Sequence, residues 1–156
     1  MAWPHPITTL GFVAGLVAAY GVALAMSIMD EPTLLGAYVL PGETDPLGPG
    51  EDDQFLPAVV IQLGVGAVVG GLYPWLFHGI LGLEGRWISE LPWTIVTGVV
   101  LGAVLGLLAI GATLVGWYDY RREDTGLLGG YLVLYGVLLG LLVGVVRPFW
   151  YDIFLV

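Results

Sequence analysis

The chain has 156 residues, 58% of them hydrophobic and 11% charged, and its 13 acidic against 4 basic side chains leave a formal net charge of −9. A mean hydropathy of +0.91, in a chain with far fewer charges than the rough quarter typical of soluble domains, excludes a disordered chain. The lack of cysteine excludes a disulfide scaffold, and so few basic residues exclude a nucleic-acid binder, which must neutralise phosphates.

About 20 apolar residues suffice for a helix to cross roughly 30 Å of hydrocarbon. Four stretches meet that length without an Asp, Glu, Lys or Arg: residues 7–29, 55–77, 93–117 and 127–146. They are too long for buried strands and lack the alternation of a membrane barrel. The expectation is therefore an all-α polytopic membrane protein, a bundle of four transmembrane helices forming one membrane domain over residues 1–156.

The first stretch also carries Ala23-Leu24-Ala25, which has the form of a signal-peptidase site. No Lys or Arg precedes it and its apolar run is longer than a signal core, so it is read as a retained helix. Residues 30–54 follow as a loop with Pro32, Pro41, Pro46 and Pro49 and with seven acids, Asp30, Glu31, Glu43, Asp45, Glu51, Asp52 and Asp53, and no base. Their spacing does not match a calcium loop, which leaves a solvated anionic loop whose apolar part, residues 33–40, lies on the membrane surface or over the bundle.

In the second stretch Gln62 is an amide some seven residues inside the span, and Pro74 frees the Gly70 carbonyl and bends the helix near Tyr73 and His78. Asp52, Asp53 and Pro57 suit its first turn, as Glu90 and Pro92 suit that of the third stretch, with Ser89 as its cap. Trp3, Trp75, Trp87, Trp93, Trp117 and Trp150 all stand near span ends, where an amphipathic ring prefers the headgroup layer.

Arg86, Arg147 and the amino terminus share one side, with Arg121 and Arg122 opposite. The charge bias is slight, and the acidic loop decides it: kept outside, it avoids the negatively charged inner leaflet. Both termini are then expected in the cytoplasm.

Lipid gives helices no hydrophobic reason to associate, so close approach at small residues has to hold them. Gly11 and Gly15, Gly66 and Gly70, then Gly98, Gly102 and Gly106, and finally Gly136, Gly140 and Gly144 recur at four-residue spacing, which sets each group on one helix face. An offset of 74 carries Gly66 to Gly140, Gly70 to Gly144 and Pro74 to Pro148, and an offset of 87 carries Gly11 to Gly98 and Gly15 to Gly102. These matches suggest two parallel copies of a helical hairpin, though with 25 glycines in the chain chance matches are also expected.

Met26-Ser27, Leu34-Leu35-Gly36, a second span rich in Gly and Tyr, and the run Leu134-Tyr135-Gly136-x3-Gly140 resemble the small four-helix membrane proteins of unassigned function found in haloarchaea. The acid-rich, lysine-free composition has the same flavour, since negative charge keeps a surface hydrated in high salt. In that family pattern a His begins the second and fourth spans; Gln62 and Leu132 stand near those places here, so the resemblance implies no metal or haem.

Ionisable groups inside spans mark ion paths and proton relays. The polar residues in the span interiors are Ser27, Gln62, Thr94, Thr97 and Thr113, all explicable as hydrogen-bonding glue between or along helices. A candidate interaction face gathers His78, Glu84, Arg86, Arg147 and Asp152, with His5 and Glu90, on the side that holds both termini; a quinone or lipid headgroup or a partner subunit would suit it. His5 and His78 are low-weight candidates for haem ligation, because His5 precedes its helix between two prolines. There is no nucleophile elbow, phosphate loop, metal motif or cysteine, so neither enzyme activity nor a cofactor is expected. The leading expectation is an accessory or assembly subunit of a larger membrane complex, with the bilayer and a membrane-protein partner or a second copy as contacts; the alternatives are a small oligomeric transporter or channel, and a haem- or quinone-binding redox subunit.

Overall fold

The computed structural model describes residues 6–28, 52–77, 90–114 and 125–154. All the regular elements among them are helical: α1 (Pro6–Ile28), α2 (Asp52–Trp75), α3 (Trp93–Leu114) and α4 (Thr125–Phe154). The acidic loop from Asp30 to Glu51 lies outside the described residues. Apolar stretches long enough to cross a membrane occupy Ile7–Met26 of α1, Trp93–Ala112 of α3 and Gly126–Trp150 of α4, and Val60–Trp75 of α2 forms a shorter apolar run.

Local sequence explains most of the boundaries. α1 starts on a proline, tolerated where an amide would have no helical partner. Before α3 the chain turns through Glu90–Pro92 with a cis Leu91–Pro92 bond. The Thr94 amide donates to the Glu90 carbonyl at 3.1 Å, and those of Ile95 and Val96 donate to the Pro92 carbonyl at 3.1 and 3.3 Å. Pro92 thus precedes the first turn rather than lying within it, and the expected cap Ser89 lies outside the described residues. α2 widens into a π-turn at Leu76–Phe77, two residues after Pro74 has removed an amide from the ladder.

α4 differs most from expectation. Its predicted end at Val146 marks the last residue before a charge, yet the helix runs through Arg147 and Pro148 to Phe154, 30 residues in all. Backbone hydrogen bonds do not stop where side chains become polar, and 30 residues span roughly 45 Å, more than the hydrocarbon thickness. Its last turns therefore project beyond an apolar core.

The helices run alternately up and down, with α1 packed against α2, α3 against α4, and α1 against α4. The inward side of α1 is Leu10, Ala14, Ala18, Val22 and Met26 at strict four-residue spacing, meeting Tyr131, Tyr135, Leu139 and Val143 of α4 in one cluster. The outward side is equally apolar, with Phe12, Leu16, Tyr20 and Leu24 on α1 and Val100, Val104, Leu107 and Leu108 on α3 all exposed. A soluble helix would set polar residues there; these faces suit hydrocarbon.

Glycine sets the distance within each hairpin. A Cβ on Gly11 would strike the Gly70 carbonyl oxygen, one on Gly15 would lie 2.8 Å from the Gly70 Cα, and one on Gly70 would lie 2.6 Å from the Gly15 Cα. The second hairpin packs alike: a Cβ on Gly98 would strike the Gly136 carbonyl, and one on Gly102 would lie 2.9 Å from the Val133 Cα. Backbone so close brings glycine Cα–H groups onto carbonyl oxygens, a weak hydrogen bond that recurs where helices touch. The Gly70 oxygen is well placed for this, because Pro74 leaves it without its helical donor. Gly106 is looser, its added Cβ 3.3 Å from the Gly129 Cα.

The two hairpins share this mode of packing without sharing its register. Under the glycine offsets of 87 and 74, Gly11 facing Gly70 would become Gly98 facing Gly144. Gly98 instead faces Gly136, about two helical turns away. Four-residue spacing fixes which face packs and leaves the sliding of one helix along the other to the larger side chains.

Candidate functional site

The polar side chains of the bundle are used chiefly to tie helices together. The Tyr73 hydroxyl of α2 reaches α3, where it shares a short hydrogen bond with Thr97 Oγ1 and lies 3.2 Å from the Thr94 carbonyl. Thr97 Oγ1 also lies 3.1 Å from the Thr94 carbonyl and 3.2 Å from that of Trp93, the back-bonding typical of threonine in a helix. The Tyr73 ring is fully buried and rests on Phe77 with centroids 5.2 Å apart. Near the same end Trp150 Nε1 of α4 donates to Thr9 Oγ1 of α1 at 3.3 Å, so this tryptophan joins two helices instead of only marking a headgroup layer. In mid-bundle the Tyr135 hydroxyl of α4 donates to the Gly66 carbonyl of α2 at 2.6 Å.

Gln62 is 7% exposed and its Nε2 donates to the Ala19 carbonyl at 3.3 Å, joining α2 to α1. Its Oε1 is buried and has no hydrogen-bond partner among the described residues. A carbonyl can only accept, so the amide nitrogen must face Ala19 and the oxygen is the orphaned end. Leaving a buried acceptor unpaired costs about 1–3 kcal/mol.

That oxygen belongs to a side chain on the wall of a cavity of about 330 Å³. α1 contributes Ala19 and Val22, α2 Ile61 to Val69 along one side, α3 Leu105, Ala109 and Ala112, and α4 Leu128, Leu132 and Tyr135. The cavity follows from the packing. α2 and α3 pack much less closely than the helices within each hairpin and are pinned by Tyr73 at one end. Toward the other end, small residues on α3 leave the space between them unfilled.

The residues of the expected interaction face are placed only in part. His5, His78, Glu84 and Arg86 lie outside the described residues, Asp152 falls in α4, and Arg147 is half-buried on α4 beside Pro148. Among the described residues no group of three or more His, Asp or Glu side chains comes together to hold a metal. The expected packing positions Gly66, Gly70, Gly98, Gly102, Gly136, Gly140 and Gly144 all abut a neighbouring helix. Tyr73 and Tyr135 escaped the reading as polar groups, although a mid-span tyrosine hydroxyl needs a partner and so signals a helix contact. No protein-family model, no curated protein and no solved structure matches the chain.

Proposed function

We propose that this chain is a non-enzymatic membrane protein of four crossings, with both termini in the cytoplasm, that serves as an accessory or assembly subunit of a larger membrane complex. The reading is carried by the way the bundle spends its polar groups. Tyr73, Tyr135, Gln62 and Trp150 each tie one helix to another. Hydrogen bonds used this way make a stiff module, whereas conduction calls for polar walls or charged rings facing a path. The contacts of the module are the bilayer and a membrane-protein partner or a second copy, met at the side that carries Arg86, Arg147 and the termini.

The test is purification of the tagged chain in mild detergent, with mass spectrometry of what co-elutes. A stoichiometric membrane-protein partner that is lost in Arg147→Ala or Arg86→Ala is the expected result. Retention of every partner in both variants, or elution of the chain alone, would sink the reading.

A further inference from the structure

The cavity between α2 and α3 calls for an occupant of definite chemistry. A water molecule needs two to four polar partners to be held in a protein interior. The side-chain polar atoms here belong to Gln62 and to Tyr135, whose hydroxyl proton is already given to Gly66. The rest of the described wall is aliphatic, with no Asp, Glu, His, Lys or Arg among the described residues that line it. Apolar cavities of about 150 Å³ stay dry and take benzene, so about 330 Å³ corresponds to roughly a dozen non-hydrogen atoms of apolar ligand. Val65, on the cavity wall, is 55% exposed, so the wall of the cavity reaches the apolar outer face of α2.

The orphaned Gln62 oxygen specifies the ligand's polar end. The terminal torsion of a glutamine is broad, so the proposed ligand needs only the amide to turn its oxygen to the cavity. A donor satisfies it; an ether, ketone or ester oxygen does not. We propose that this cavity binds a small membrane-soluble alcohol: an apolar chain or ring that enters from the bilayer between α2 and α3 and donates its hydroxyl to Gln62. This goes beyond the accessory role and holds whether or not the chain has a protein partner.

Equilibrium binding of tritiated geraniol, an alcohol of the size the cavity admits, to the full chain in detergent tests it, with geranyl methyl ether and the saturated hydrocarbon 2,6-dimethyloctane as competitors. Saturable binding of geraniol is expected, with the ether and the hydrocarbon weaker by about tenfold or more, the effect of leaving a buried acceptor unpaired. Gln62→Leu should bring the three compounds level. Ala109→Phe, which fills the α3 side of the cavity and leaves the Gln62–Ala19 bond in place, should abolish saturable binding. Equal competition by ether and hydrocarbon in the native chain would overturn the alcohol assignment. Absence of saturable binding, or binding undiminished by Ala109→Phe, would overturn the site.

Discussion

Glycine side-chain space divides sharply from one position to the next. A methyl on Gly98 or Gly70 would meet backbone of the facing helix, which cannot step aside, while one on Gly64 or Gly111 would meet nothing within 4 Å. Gly98→Ala and Gly70→Ala should therefore each destabilise the fold by about 1–3 kcal/mol, the usual cost of overpacking. Gly64→Ala and Gly111→Ala should leave it unchanged or slightly raised, since alanine is the better helix former. Thermal unfolding in one detergent checks all four; equal melting temperatures would mean that the glycines do not set the helix spacing. Tyr135→Phe removes a single buried donor and should cost about 1 kcal/mol in the same assay, because the Gly66 carbonyl keeps its place in the α2 ladder. The glycine faces were legible in the sequence because four-residue spacing is a statement about geometry. The tyrosine bonds were not, since their acceptors are backbone carbonyls, which every position has.

At the scale of elements, the two hairpins differ from the joint between them. Inside each hairpin, backbone lies on backbone; between α1 and α4, side chains such as Leu139, Val143, Val22 and Met26 interlock. Helix existence and order were readable from apolar length alone, whereas the end of α4 was not, since an arginine and a proline leave a helix intact when its backbone has somewhere to go. The partner of each helix was hidden as well: short connections favour sequence neighbours, yet α2 and α3 are neighbours in the chain that barely pack. Two half-chains, 1–80 and 81–156, produced together should co-purify through the α1–α4 joint. Each half eluting alone would show that the connecting segment, not that joint, holds the hairpins together.

For the whole molecule, the proposed four crossings with both termini in the cytoplasm require the sequence between α1 and α2 and that between α3 and α4 to be reached from outside the cell, and the sequence between α2 and α3 from inside. The chain has no native cysteine, so single introduced thiols report this cleanly. Thr44→Cys and Asp119→Cys should react with a membrane-impermeant maleimide from outside the cell, and Ser89→Cys should react only after the membrane is opened. Labelling of all three from the same side would rule out the four-crossing topology. The candidate cavity was beyond sequence reading for a related reason: it is a gap, made by what α2 and α3 fail to touch, and Gln62 alone announced it as an amide out of place.

The closest backbone contacts in this molecule lie within pairs of helices that follow one another in the chain, α1 with α2 and α3 with α4. Loops between neighbours close quickly and at small entropic cost. The first pair can thus lock as soon as α2 enters the bilayer, before α3 and α4 have been made, and the second as soon as α4 follows α3. Biogenesis is then reduced to one late event, the meeting of two finished halves, and the order of synthesis is written into the order of assembly.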